Sequence, residues 1–198
     1  DEIIVSSEAD ARQIEQQHGP ALSTITTICN YVDLDRFRPK PSVTKQRGAL
    51  IFVGRLEDQK NPSSLLDALV GLDHVQLMIV GDGSLRVSLE KQASRLNLDV
   101  KFLGTIDNGK LPELLNRCEA FVFPSRYEGT PKALLEAMAC GVPVIAARSP
   151  GITEVVTHDQ TGYLCGISAL EIRAAISTVL KDPALRDRLG RDGARYVK

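Results

Sequence analysis

Ala49-Leu50-Ile51-Phe52-Val53-Gly54 is the stretch on which the fold turns. Its large apolar side chains follow one another without alternation, so a strand built from them has no polar face to turn toward water. Leu77-Met78-Ile79-Val80 and Phe121-Val122-Phe123 repeat the pattern. Strands of this kind are buried on both faces, as in a parallel sheet covered by helices on either side. Working outward, strands are predicted at 3–6, 25–29, 49–54, 75–80, 100–103, 120–124, 142–146 and 162–164. Segments of helical period fall between them at 9–17, 62–70, 85–96, 111–118, 131–140, 169–181 and 183–196. Asn61-Pro62, Thr130-Pro131 and Asp182-Pro183 each set a capping side chain before a proline at the first helical position, and Ser84 marks a fourth start. Repeated β-α units with short connections predict an α/β fold, a doubly wound Rossmann-like parallel sheet.

The composition supports a globular chain and excludes several functions. Of 198 residues, 43% are hydrophobic and 25% charged, and the formal net charge is −1. So even a balance gives no general attraction to a nucleic-acid backbone or an anionic membrane, and nucleic acid is not expected as a partner. Any anion binding must be local. No apolar run approaches the length of a membrane span, and no basic-then-apolar leader is present. Cys29, Cys118, Cys140 and Cys165 form no CxxC pair, and with only three histidines, no metal set is expected. They read as reduced, buried thiols of a cytoplasmic protein.

From Asn30 to Arg47 the chain has two prolines, seven charged side chains and no helical period. This predicts a linker or a long surface connection. The strand-helix-strand unit before it, residues 1–30, is too small to bury a core of its own. It is expected to be the end of another domain or an extension packed on this one.

Two glycine patterns suggest phosphate binding, and both fall short. Gly104-Thr105-Ile106-Asp107-Asn108-Gly109-Lys110 fits GxxxxGK after a strand, but Leu111 stands where a P-loop needs Ser or Thr, and Asp107 would place a negative charge in the cradle. Gly81-Asp82-Gly83 begins GxGxxG and is not completed, since residue 86 is Arg. A better candidate lies at the exit of the 49–54 strand. Arg55 and Lys60 emerge from its carboxyl end, where doubly wound sheets bind ligands, and could clamp a diphosphate. The alternative is a solvated loop in which Glu57 and Asp58 neutralise both cations.

The most specific segment is Phe123-Pro124-Ser125-Arg126-Tyr127-Glu128-Gly129-Thr130-Pro131-Lys132-Ala133-Leu134-Leu135-Glu136-Ala137-Met138-Ala139-Cys140-Gly141. Glu128 falls in the turn after a strand, just before a helix N-terminus where the amides of Gly129 and Thr130 can meet an anion or sugar oxygens. Glu136 lies in a helix apolar nearly all round, so its carboxylate must be paired, hydrogen-bonded or facing a crevice.

Glu128 and Glu136 form an E-x₇-E pattern, and the segment resembles that of retaining glycosyltransferases of the GT-B fold, glycosyltransferase family 4 in particular. Further motifs follow in the order and spacing of that family: Asn30-Tyr31-Val32-Asp33 ending in Phe37, Val53-Gly54-Arg55-Leu56 with Lys60, Val80-Gly81-Asp82-Gly83, Val100–Gly104, Gly141-Val142-Pro143-Val144-Ile145-Ala146 and Gly151-Ile152-Thr153-Glu154-Val155-Val156. The resemblance spans residues 1–181. It implies one half of a GT-B fold, the donor-binding half, with 1–30 as the tail of an N-terminal domain, 31–47 as interdomain linker and 48–198 as a Rossmann-like nucleotide-sugar-binding domain.

By the same resemblance, Arg55 and Lys60 neutralise the diphosphate of a nucleoside-diphosphate sugar, Glu136 binds the ribose hydroxyls, and Glu128 with the amides of Gly129 and Thr130 holds the sugar. The backbone of Ile106 reads the base. Glu128, Arg55 and Lys60 are the expected catalytic groups, with no cofactor beyond the nucleotide-sugar substrate. The acceptor, and any membrane contact, are expected to come through the N-terminal domain, and the chain alone is expected to be inactive. A GT-B-fold sugar-nucleotide epimerase or phosphorylase and a non-catalytic nucleotide-binding module are the alternatives. Tyr31 stands where the family linker has Gly, Thr130 and Lys132 where hydrophobic and small or amide residues are common, and Pro150 where the first of two glycines is usual.

Overall fold

The structure, a computed structural model, describes residues 2–5, 8–19, 24–27 and 31–198. Six strands pair in parallel throughout: β3 (Ala49–Val53), β4 (Gln76–Val80), β5 (Val100–Gly104), β6 (Ala120–Phe123), β7 (Val144–Ala147) and β8 (Tyr163–Cys165). Their order across the sheet is β5-β4-β3-β6-β7-β8. The first and fourth strands of the unit are therefore neighbours at its centre, which is the doubly wound order. Leu50 sits opposite Leu77 on one side and Ala120 on the other. β1 (Glu2–Val5) and β2 (Thr24–Thr27), joined through α1 (Glu8–His18), form a separate two-stranded parallel sheet.

The consecutive apolar runs are buried on both faces, as expected. Leu50, Phe52, Leu77, Ile79, Val122 and Ile145 face one layer, with α2 (Pro62–Leu69), α3 (Arg86–Arg95) and α6 (Ala169–Lys181) packed on it. Ile51, Met78, Phe121, Phe123, Val144 and Ala146 face the other, covered by α4 (Leu111–Arg117) and α5 (Lys132–Ala139). α7 (Pro183–Tyr196) closes the chain and packs on α5 and α6. β5 is an edge strand, and its exposure alternates, with Lys101 and Leu103 turned outward. Each fully buried Leu, Ile or Phe side chain contributes about 1.5–3 kcal/mol, so the two clusters supply the fold's main favourable term.

Residues 31–47 contain no helix or strand. They lie on the α4–α5 layer. Phe37 is buried in that core, and the Asn116 side chain of α4 accepts from the Lys40 amide (2.7 Å) and donates to the Arg38 carbonyl (3.1 Å). Asn30 and Cys29 lie outside the described residues. Cys118 and Cys140 are buried free thiols whose pKa burial pushes up to about 12, and that of Cys165 rises to about 11 for the same reason.

Three of the four expected helix starts are built otherwise. Asp182 does cap α7, accepting from the Leu185 amide at 2.9 Å. Asn61 instead adopts a left-handed conformation (φ 54°), and its buried side chain donates to the Ile167 carbonyl (2.9 Å) and accepts from Arg126 (3.3 Å). Tertiary partners satisfy that amide, so it does not cap α2. α3 begins at Arg86 rather than at Ser84, and Pro131 itself takes the position before α5, which starts at Lys132. Among the described residues, no helix is long and apolar enough to cross a membrane.

Candidate functional site

β3 and β6 are neighbours whose following helices pack on opposite faces of the sheet, so a crevice opens beyond their carboxyl ends. Arg55, Lys60, Glu128, Thr130 and Glu136 lie around it.

The β3 exit is held by backbone. Beyond the strand, the Gly54 amide donates to the Val80 carbonyl (3.0 Å) and the Leu56 amide to that of Asp82 (2.9 Å). These bonds explain Gly81-Asp82-Gly83. A Cβ on Gly81 (φ 127°) would lie 2.0 Å from the Gly54 oxygen, and one on Gly83 would lie 2.5 Å from that of Leu56. The two glycines let neighbouring backbones meet, which is a fold requirement rather than a phosphate cradle. The GxxxxGK loop is likewise spent on itself. Asp107 accepts from the Gly109 amide at 2.6 Å, its carbonyl accepts from Lys110 at 2.9 Å, and α4 is a short helix.

The two cations expected to act together are held differently. The Arg55 side chain is 68% exposed and lies 3.4 Å from Glu57, part of the arrangement expected for a solvated loop. Lys60, at the end of a single 3₁₀ turn (Asp58–Lys60), pairs not with Asp58 but with Glu128, across 68 residues of chain. Its ammonium donates to both carboxylate oxygens, at 2.6 and 2.7 Å, and lies 5.4 Å from the centre of the Phe123 ring. Both side chains are largely buried, at 14% and 7% exposed. Glu128 is fixed in turn by the β7–β8 connection, where its amide donates to the Pro150 carbonyl (3.1 Å). Gly151 (φ 76°) runs so close beneath that a Cβ would stand 2.1 Å from the Glu128 oxygen and 2.4 Å from that of Gly129. Pro150 supplies a carbonyl, which any residue has; the glycine is kept where space is needed.

Two hollows meet in the crevice. One of about 510 Å³ is lined by Gly54, Arg55, Gly81, Ile106, Lys132 and Glu136; the other, of about 230 Å³, by Arg55, Lys60, Glu128, Thr130 and Lys132. They share Val53, Gly54, Arg55, Lys132 and Ala133 and form one trough. Gly129 is exposed and is not part of this lining. Glu136, 5% exposed, projects from α5 into the larger hollow, and among the described residues no donor is hydrogen-bonded to its carboxylate. Burial pushes its pKa up, and the charge of Lys132, one turn earlier on α5, partly opposes the shift. A buried carboxylate left without donors beside a cavity is poised to accept hydrogen bonds from a ligand.

Lys132 is the site residue that sequence reasoning missed. It lines both hollows, four residues before Glu136 on one helix face, and that spacing was the available signal. Hollows of similar size lie at the amino ends of the strands, around Gly71 to Val75, on the side of the sheet away from the crevice.

The trough can take an elongated ligand with an anionic centre, near Arg55, Lys60 and Lys132, and a hydroxyl-bearing portion near Glu136. Comparison with known proteins gives the family. The family model described as "Glycosyl transferases group 1" matches residues 33–196. A glycogen synthase of Mycobacterium tuberculosis (strain CDC 1551 / Oshkosh) is 34% identical over 203 residues, covering 96% of this chain and 48% of its own length. The chain spans about half the length of the curated relatives it matches. Sucrose-phosphate synthase from Thermosynechococcus elongatus superposes with a TM-score of 0.90 at 28% identity, covering all of this chain and 53% of its own. Anabaena Alr3699/HepE, solved in complex with UDP and glucose, has a TM-score of 0.89 at 26% identity, covering 98% of this chain and 57% of its own. The switch-point trough, the paired glutamates eight residues apart and a family match over most of the chain lead to one assignment: it belongs to the group 1 glycosyl transferases, and its six-stranded unit is one half of their GT-B fold.

Proposed function

We propose that the trough binds a nucleoside-diphosphate sugar and that the whole protein transfers the sugar to an acceptor hydroxyl with retention of configuration. The observation that carries this reading is the single trough joining Arg55, Lys60 and Glu128 to the buried, donor-free carboxylate of Glu136. In it, the diphosphate lies beside Arg55 and Lys60, the ribose hydroxyls donate to Glu136, the base rests against Ile106, and the sugar is held at Glu128 and the Gly129–Thr130 turn. The UDP and glucose bound by Anabaena Alr3699/HepE support a ligand of this class.

Departure of the nucleoside diphosphate develops negative charge on its β-phosphate, and fixed cations at that point lower the barrier. Arg55 and Lys60 supply them. Glu128, neutralised by Lys60, is reserved for holding hydroxyls rather than for attacking carbon, so the acceptor hydroxyl attacks from the face the diphosphate leaves. The acceptor, and any contact with a membrane, come from a part of the protein outside this chain, and this chain alone turns over no donor.

Calorimetric titration with UDP, GDP and ADP, each beside its nucleoside, tests the reading. A diphosphate should bind far more tightly than its nucleoside, and Glu136→Ala should weaken it by about 1–3 kcal/mol, the value of a hydrogen bond to a charged group. Equal affinity for ribose and deoxyribose nucleotides would remove Glu136 from the ribose.

A further inference from the structure

Lys60 and Arg55 both already have carboxylate partners; Lys132 does not. Among the described residues, no carboxylate oxygen lies within 4.0 Å of its ammonium. Its neighbour is instead the ring of Tyr31, with the ammonium 5.9 Å from the centroid. Tyr31 belongs to the segment that leads into the domain and is 81% exposed, so the ring covers no core. The fold brings Tyr31 to Lys132 at the mouth of the trough.

Lys132 lines the hollow that holds Glu136 and the hollow that holds Lys60 and Glu128, and so stands where they join. If the ligand's base and ribose occupy the first and its sugar the second, the diphosphate lies at that junction. An exposed ammonium over an aromatic face is held only weakly. A phosphate can take it at little cost, whereas Lys60 must loosen a buried bidentate pair to turn toward one.

We infer that Lys132 is a diphosphate-binding residue that sets the preference of this site for doubly over singly phosphorylated nucleotides, with Tyr31 holding its ammonium over the trough until the ligand arrives. The inference rests on the nucleotide-sugar reading of the trough and adds a residue to it. Two roles are separable: Lys132 contributes affinity, and Tyr31 contributes placement.

The test is calorimetry on the 198-residue chain with UDP, GDP and ADP, followed by the monophosphate of whichever binds most tightly. Lys132→Gln should lower the diphosphate affinity about tenfold or more, the scale of a charge-assisted hydrogen bond, and change the monophosphate affinity less than about threefold. It should also flatten the dependence of diphosphate affinity on salt, since one screened attraction is gone. Lys132→Arg should stay within about threefold of the parent, and Tyr31→Ala should cost about two- to threefold. Lys132 is exposed, so Lys132→Gln should leave the urea midpoint unchanged. Unchanged diphosphate affinity in a parent that binds it, or an equal loss for mono- and diphosphate, overturns the role of Lys132 and leaves the nucleotide reading standing. A folded parent that binds none of the three diphosphates overturns both.

Discussion

Two ion pairs border the same trough, and they are not equivalent. Arg55–Glu57 is local, exposed and 3.4 Å long; Lys60–Glu128 is buried, bidentate and joins the β3–α2 connection to the β6–α5 turn. An exposed pair contributes about 0–1 kcal/mol, and its partners can part without consequence. Removing one member of a desolvated pair strands the other, at about 3–5 kcal/mol in fully buried cases. Arg55 can therefore turn to an arriving anion, while Lys60 holds the architecture of the site until a ligand offers equal compensation. Cations of equal formal charge, five residues apart, are assigned separate tasks by their burial.

The sharpest way to break this contrast is to unpair the buried member. Lys60→Met should lower the free energy of unfolding by about 2–4 kcal/mol, because Glu128 is left charged and 7% exposed. Urea denaturation of Lys60→Met, Glu128→Gln and the double variant should show the double recovering most of the loss. Simple addition of the two single effects would mean that the pair is not coupled.

A second test uses Glu136, a buried carboxylate that has no pair among the described residues. Glu136→Gln should raise stability near neutral pH by about 1 kcal/mol, or roughly 2–4 °C in Tm for a chain of this size, while weakening nucleotide binding. The sign follows from its raised pKa. Between the ordinary carboxylate value and the higher folded one, the native state holds a proton that the unfolded chain has released. The parent thus gains on the variant as pH falls through that window, and thermal melts across it should see the advantage of Glu136→Gln shrink. An advantage independent of pH would mean that burial does not perturb Glu136.

The smallest effect belongs to the exposed pair. Glu57→Ala should change stability by less than about 0.5 kcal/mol. Because it frees Arg55, it should leave diphosphate affinity unchanged or slightly higher. Arg55→Lys, which keeps the charge and loses the planar fork, should weaken diphosphate binding without touching the urea midpoint. A large loss of stability in either variant would erase the difference between the two pairs.

Much of this was legible because local chemistry and tertiary role coincide. Leu50-Ile51-Phe52-Val53 can satisfy its side chains only when both faces are covered, so its pattern names a central parallel strand. Glu136 in an otherwise apolar helix similarly announces a carboxylate that must be paired, hydrogen-bonded or facing a crevice, and the structure decides for the crevice. The signals that misled were those whose meaning depends on a distant neighbour. Asn61 before Pro62 reads as a helix cap until Ile167 and Arg126 claim its amide. Gly81-Asp82-Gly83, an incomplete phosphate pattern in the sequence, finds its reason only in the Gly54 and Leu56 carbonyls that fill the space beside it.

By itself, then, the sequence determined the layers, the strand and helix order and the identity of nearly every group around the trough. Periodicity and residue type report on a residue's own surroundings, and those are set within a turn or a strand. Only the tertiary structure decided the partnerships. Lys60 chose Glu128 over Asp58, Pro150 and Gly151 came to support Glu128, and Lys132 met Tyr31 across about a hundred residues of chain. Ion pairs, backbone contacts and cation–π contacts depend on separations in space of a few ångströms, and those are fixed only when β3 and β6 lie side by side.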